Sequence, residues 1–217
     1  AVLFLSFTTQ TYALKLTFSS SVAFITGLEC VIVPFMAAIF FKNKISIFAI
    51  FGAMIAIFGL WLLSGATLEL GSGEALALIC AIFYALYTTL NDHFVRKSEL
   101  YLLVFVVFLT VSLLSLVFAL FQGSIVPNFD REFFIAIFIT TVIGTIFCYF
   151  VQTIAQRYTT ASKAALFFCL EPVSAGLIGY FFAGELLSIW QIFGAMLIIF
   201  GVIFGEFGKQ ICSKFKL

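Results

Sequence analysis

Eight apolar stretches of membrane-crossing length follow one another along this chain with little between them. They occupy approximately residues 1–16, 19–41, 45–64, 74–94, 99–121, 132–156, 161–183 and 187–206. A helix needs about 20 mostly apolar residues to cross the ~30 Å of hydrocarbon in a bilayer. The breaks, at 42–44, 64–73, 95–99, 122–132, 156–160 and 183–185, carry most of the charged and turn-forming residues. In hydrocarbon every backbone N–H and C=O must find a partner, which leaves α-helices or a closed barrel. A barrel needs alternating segments of about ten residues, and none is evident here. The layout predicts an all-α polytopic membrane protein with eight transmembrane helices.

Composition excludes the soluble alternative. Of 217 residues, 64% are hydrophobic and 10% charged, with mean hydropathy +1.23; a soluble domain carries roughly a quarter charged residues. The net charge is +1, and no basic patch suggests nucleic acid. Cys30, Cys80, Cys148, Cys169 and Cys212 show no C-x-x-C spacing, and there is one histidine, so neither a metal site nor a disulfide framework is expected. The first apolar run lacks the charged start and cleavage site of a signal peptide. Basic residues give the direction, because short cytoplasmic loops collect them. One side receives Lys42, Lys44, Arg96, Lys97, Arg157, Lys163, Lys209, Lys214 and Lys216; the other receives Lys15 and Arg131. The C-terminus is therefore expected in the cytoplasm.

The chain also repeats itself. "SIFAIFGAMIAIFG" at 46–59 and "SIWQIFGAMLIIFG" at 188–201 agree at ten of fourteen positions, 142 residues apart. The same offset pairs Gln10 with Gln152, Ala13 with Ala155, Lys15 with Arg157, Thr17 with Thr159, Ser20 with Ser162, Ala23 with Ala165 and Leu28-Glu29 with Leu170-Glu171. One register held across three spans, polar residues included, is an internal duplication. Spans one to three are copies of spans six to eight. Each copy lies five spans from its partner, so the two have opposite orientation, the layout of inverted-repeat carriers whose solute site lies near the midplane. Spans four and five have no earlier counterparts, which predicts about 70 further residues, two helices, ahead of Ala1 in a ten-helix, five-plus-five protein. The expected division is residues 1–64 as the end of the first repeat, 65–73 as a connecting loop, 74–206 as the complete second repeat and 207–217 as a cytoplasmic tail.

The segment 159–206 resembles the signature of the EamA family in the drug/metabolite transporter superfamily. The resemblance rests on Thr159–Ser162, Leu170-Glu171-Pro172, Gly184-Glu185 with Leu187-Ser188, and the spaced Gly194 and Gly201. The first copy departs from it, with Leu28-Glu29-Cys30, and with Lys42-Asn43 in place of Gly184-Glu185. The resemblance implies a ten-helix (5+5) inverted-repeat carrier in a bacterial inner membrane, with both termini cytoplasmic.

Candidate functional residues are the polar ones deep in the spans. Glu29 and Glu171 lie about ten residues, ~15 Å, into their helices, where a carboxylate costs about 2.5–3.5 kcal/mol on insertion scales. Each is either a cavity-lining site for a proton or a solute amine, or a structural carboxyl bonded to a neighbouring helix. Pro34 and Pro172 lie near them and each removes a backbone donor, which suits a hinge. In span six Thr141, Thr145, Cys148, Tyr149 and Gln152 follow the spacing of one helix face, and span one repeats this more weakly through Ser6, Gln10, Ala13 and Thr17. Span four adds Tyr84, Tyr87, Thr88 and Asn91, and Phe168 is placed to offer an aromatic face beside Glu171. The candidate cavity set is thus Gln10, Glu29, Tyr84, Thr88, Thr145, Tyr149, Gln152, Phe168 and Glu171. Asp92 and Arg96 are expected as an exposed i,i+4 pair, and His93 as an interfacial residue.

These features fit a secondary transporter of small metabolites, an exporter of amino acids or related solutes, embedded in lipid. No phosphate-binding G-x-x-x-x-G-K-[ST] loop occurs, so a gradient must drive any pumping, with the proton as candidate coupling ion. No H-E-x-x-H or G-x-S-x-G motif supports an enzyme, and no cofactor is implied. Two alternatives stay open: efflux of lipophilic cations, and a relic or partner subunit without transport of its own.

Overall fold

The computed structural model describes residues 1–42, 46–63, 71–123, 130–182 and 188–214. The break residues Asn43, Lys44, Glu69, Gly184, Glu185 and Leu187, and Lys216 of the tail, lie outside them. Among the described residues the chain makes eight helical passes and no strand. The first is α1 (Val2–Leu16). The second is interrupted, α2 (Ser19–Gly27) then α3 (Glu29–Phe41), and α4 (Ile47–Leu63), α5 (Ser72–Val95) and α6 (Leu100–Gln122) follow. The sixth pass runs through α7 (Arg131–Phe138), a π-helical stretch (Ile139–Phe147) and α8 (Cys148–Tyr158). The seventh is again interrupted, α9 (Ala161–Phe168) then α10 (Glu171–Phe182), and α11 (Ile189–Lys214) is the last. Four helical stretches, Ser21–Phe41, Ser72–Val95, Leu100–Gln122 and Arg131–Tyr158, are long and apolar enough to span a membrane; Ile47–Leu63 and Ile189–Gly205 are shorter apolar helices. The fold is that of a multi-pass membrane protein.

Helix ends follow local chemistry. Asp130 caps α7 by accepting from the Phe133 N–H at 2.8 Å. Ser188 and Gln191 form a reciprocal box at the start of α11, with Ser188 N donating to Gln191 Oε1 at 2.8 Å and Gln191 N to Ser188 Oγ at 3.3 Å. Gly123 ends α6 in the left-handed region, φ 65°, where a Cβ would be strained.

The tightest packing joins α4 to α11. A Cβ on Gly52 would stand 2.5 Å from the Gly201 carbonyl oxygen, and one on Gly59 2.6 Å from that of Gly194. The reverse contacts repeat this: Gly194 against Gly59 O and Gly201 against Gly52 O, both 2.6 Å. Residue numbers rise on one helix as they fall on the other, so the two run antiparallel. With the 142-residue offset, Gly52 corresponds to Gly194 and Gly59 to Gly201. Each glycine therefore meets the copy of the other glycine on its own helix, as an approximate two-fold axis between α4 and α11 requires. In lipid, helix association depends on such backbone approach, since apolar surface gains little by leaving hydrocarbon. Small residues also fill the rest of the interior: Ala13, Ala53, Ala56, Ala77, Ala81, Ala85 and Ala165 are almost fully buried.

The periphery is different. No residue of α6, α7 or the π-helical stretch is buried, and large apolar side chains such as Phe105, Leu116 and Phe138 stand outward. In a bilayer this is a lipid-facing surface.

Gly201→Ala should therefore destabilise the protein by about 1–3 kcal/mol, the usual cost of overpacking, whereas Gly144→Ala, whose new methyl meets only Ile139 O at 3.7 Å, should not. Thermal unfolding in detergent micelles checks this; equal midpoints for the two variants would contradict the glycine contact.

Candidate functional site

Both interrupted passes break beside the repeated Leu-Glu pair. In the first, Leu28 N bonds to Ile25 O at 3.1 Å, a tight i→i−3 turn, and α3 starts anew at Glu29. In the second, Cys169 N and Leu170 N make the same i→i−3 bonds to Leu166 O and Phe167 O, and α10 starts at Glu171. Leu28 O and Leu170 O then accept from Ile32 N (3.2 Å) and Ser174 N (2.9 Å), residues that the duplication also pairs. Pro172 sits directly after the second break and cannot donate to the preceding turn; Pro34 is buried inside α3, five residues after Glu29. The equivalent residues Gly27 and Cys169 approach each other, with Cys169 Sγ 4.0 Å from Gly27 O. Glu29 is buried at 9% exposure while Glu171 is exposed, and the two carboxyls are close enough to interact electrostatically.

A polar ladder runs beside these breaks along α5, whose polar side chains recur three and four residues apart. Cys80 donates to Ser6 O at 3.3 Å, and Tyr84 donates to Gln10 Oε1 at 2.8 Å, which ties α5 to α1. The Tyr84 hydroxyl is also 3.4 Å from that of Tyr149 on α8. Phe7 meets both tyrosine rings edge-on, at 6.2 and 5.6 Å, and Tyr87 meets Tyr149 at 5.8 Å. Further along, Asn91 donates to Thr153 at 3.3 Å and to Gln156, and Gln156 returns a bond to Thr88 O at 3.1 Å. Thr88, Asn91, Thr153 and Gln156 are all buried, and the amides of Asn91 and Gln156 and the Thr153 hydroxyl, which donates to Tyr149 O at 2.7 Å, bond within this network. Tyr87, Asn91, Tyr149 and Thr153 line a narrow crevice with Val104, Val107 and Phe108 of α6, too tight to hold a water molecule.

Each end of α5 is fastened. At its start Glu74 accepts from Thr17 Oγ1 and from Gly71 N, the latter at 2.9 Å. At its far end Arg96 pairs with Asp92 at 2.9 Å and donates to the carbonyls of Gln156 (3.4 Å) and Thr159. Thr17 and Thr159, which close α1 and α8, are equivalent residues of the duplication.

A model of the EamA-like transporter family matches residues 71–205. The chain belongs to the EamA-like transporter family. It is similar to an uncharacterized transporter of Archaeoglobus fulgidus, 30% identical over 200 residues, covering 92% of this chain and 64% of that protein's length. A second uncharacterized transporter of the same organism is 38% identical over 48 residues, 22% of this chain and 18% of its own. A crystal structure of a protein 18% identical superposes with TM-score 0.78, over 94% of this chain and 72% of its own, a likeness of fold.

In this EamA-like chain the candidate residues divide. Gln10, Tyr84 and Tyr149 meet directly, Thr88 joins the buried network, and Glu29 and Glu171 lie together at the helix breaks. Phe168, half-buried, ends α9 before the second break. Along the span-six stripe, Thr145 Oγ1 bonds Thr140 O five residues back at 2.9 Å, within the π-helical stretch. Thr141 and Cys148 are exposed, as is nearly all of that stretch, and Thr145 and Gln152 are half-buried. The buried polar residues are instead Thr153 and Gln156. Their spacing from Tyr149, i+4 and i+7, carried the signal, but Gln156 reads as loop because it borders Arg157. Asp92 is likewise buried at 7% rather than exposed, because Arg96 folds over it toward α8. His93 stacks on Phe41 with centroids 4.2 Å apart, its Nε2 3.0 Å from Lys97 Nζ.

Asn91→Ala should cost about 1–3 kcal/mol, because it leaves the buried amide of Gln156 short of a partner, while Thr141→Ala on the exposed face should stay within ~0.5 kcal/mol of the parent. Denaturant titration in micelles measures both, and a neutral Asn91→Ala would show that the network is not structural.

Proposed function

We propose that this chain is part of a secondary transporter that moves small metabolites by alternating access between two inverted repeats, exporting amino acids or related solutes. The observation that carries this reading is the reciprocal glycine contact of α4 and α11. It relates the two copies by a two-fold axis, and both interrupted passes flank that relation with a carboxylate at the break. A broken helix near the midplane, with polar side chains beside it, is how carriers expose backbone and charge to a solute. Tyr84 marks the middle of α5, so the Gln10–Tyr84–Tyr149 cluster lies at the expected depth. Pro172 serves as a hinge at the second break and Pro34 as a hinge within α3, and Gln152, Thr145 and Phe168 line the path as it opens. The described passes belong to a five-plus-five arrangement, with residues 1–64 ending one repeat and 74–206 forming the other. The C-terminus lies in the cytoplasm, on the side that collects the lysines and arginines, and the membrane is the bacterial inner membrane.

A second substrate class is favoured by one specific observation. Phe7, Tyr84, Tyr87 and Tyr149 form a connected aromatic cluster within electrostatic reach of Glu29. Aromatic faces beside a membrane carboxylate suit a lipophilic cation.

Counterflow in proteoliposomes tests the proposal. Vesicles preloaded with an amino acid should accumulate the labelled solute, and Tyr84→Ala should reduce initial uptake at least about tenfold, since the tyrosine joins all three walls of the path. Accumulation of a labelled lipophilic cation alone would move the assignment to efflux of such cations. No counterflow with either class, in protein that keeps its unfolding midpoint, would remove the transport reading.

A further inference from the structure

Glu29 and Glu171 are left without chemistry by the path just described, and their surroundings assign them some. Each begins a half-helix, where first-turn N–H groups and the helix dipole favour a negative charge. The axis brings the two together, and Glu29 is nine-tenths buried, with no hydrogen-bond partner for its carboxyl among the described residues. Among the described residues the neighbouring elements supply no positive charge at this depth. Helix α4 has no ionisable side chain; α5 presents Cys80 and Tyr84, α8 Tyr149, and the end of α9 Cys169, beside Cys30 of α3 itself. The cations of these elements lie at their ends: His93 stacks on Phe41 at the far end of α3, Arg157 is in the last turn of α8, and Lys163 is the third residue of α9. Two carboxyls at neighbouring helix breaks, with no countercharge among the described residues, call for one from outside.

The donor set also restricts what that charge is. The Leu28 and Leu170 carbonyls at the breaks already accept helical N–H groups. A hard metal cation seeking about six oxygens would therefore be under-coordinated. A proton, or a protonated amine with at most three N–H donors, needs no more acceptors than two carboxyls offer.

We infer that Glu29 and Glu171 form a single site for one positively charged hydrogen-bond donor, a proton or a protonated amine, entered from the exposed Glu171 and ending at the buried Glu29. The inference deepens the carrier reading, since this is where a coupling ion or a solute ammonium would sit, but binding can be read without transport.

Infrared difference spectroscopy on the full chain in nanodiscs gives that reading. Three perturbations are compared: a pH step, methylammonium chloride at fixed pH, and sodium chloride at fixed pH. A carboxyl difference band is expected for the pH step or methylammonium that is lost in Glu29→Gln, over the background of the other carboxyls, and kept in Glu29→Asp. Response to the pH step alone identifies the proton; response to methylammonium identifies the amine. In case Glu29→Gln disturbs folding, Glu171→Gln is measured in parallel. It should shift the pH midpoint of the remaining carboxyl, or weaken methylammonium binding about tenfold. Spectra identical in parent and both variants, an equal response to sodium, or a Glu29 titration that ignores Glu171→Gln would each overturn the shared site. Bands that persist while counterflow fails would defeat the carrier reading alone.

Discussion

Everything else in this protein is arranged around one backbone contact, the crossing of α4 and α11 at their glycines. Bilayer hydrocarbon solvates leucine and phenylalanine as well as a protein interior does, so burying them gives little reason for helices to associate. Direct approach of one backbone to another does, and it requires that no Cβ stand between them. Gly52, Gly59, Gly194 and Gly201 meet this requirement at two places one helical repeat apart on each helix, which fixes both the distance and the antiparallel register. Once that register is set, the two copies of the duplicated segment have only one relative placement. The helix breaks at Leu28 and Leu170 are then brought near each other, where Cys169 Sγ meets Gly27 O at 4.0 Å.

Helix α5 supplies what the symmetry lacks. It has no counterpart among the described residues, yet it touches α1, both halves of the second pass, and α8. Its polar groups are spent on those contacts: the side chains of Tyr84 toward α1 and α8 and of Asn91 toward α8, and the Thr88 carbonyl toward Gln156 of α8. Every such group inside a membrane must be paired, and pairing fixes neighbours more specifically than packing does. The polar ladder thus has two roles in one set of residues, holding the bundle and keeping a hydrogen-bonding surface at mid-depth. The peripheral α6 and α7, nearly free of polar side chains in their spans, show what the same length of chain does when neither role applies.

How far the sequence carries follows from which physical rule applies at each position. The passes were legible because span length is set by the bilayer and breaks need polar residues. The repeat was legible because a fixed offset kept its polar residues, and the glycine spacing pointed to close packing. What was not legible depended on local backbone choices. The π-helical stretch from Ile139 to Phe147 cannot be read from composition, and neither can the fact that the polar residues of this pass that become buried are Thr153 and Gln156, near the end of α8. Similarly, proline positions suggested where the second pass weakens, but Pro34 stands a turn and a half beyond the first break. That break falls at the Leu-Glu pair shared with the second copy, not at the proline. The burial of Asp92 could not be read from an i,i+4 spacing either, because it depends on Arg96 finding carbonyls on a helix sixty residues away.

The two ends of α5 show that duplication preserves position more faithfully than chemistry. Thr17 and Thr159 occupy the same place in the two copies, each closing a helix and each fastened to α5. At one end the threonine gives its hydroxyl to the carboxylate of Glu74; at the other it offers its carbonyl to the guanidinium of Arg96. The first is a single directed bond to a side chain that also closes the start of its own helix. The second is one of three acceptors gathered by a partly exposed cation, so it can be exchanged for water or weakened by salt. In the carrier reading proposed above, opening a path at either end of α5 would undo one of these fastenings, and the two differ in strength and in sensitivity to the surroundings. A bundle related by symmetry at its glycine core is therefore not symmetric in what releases its two ends.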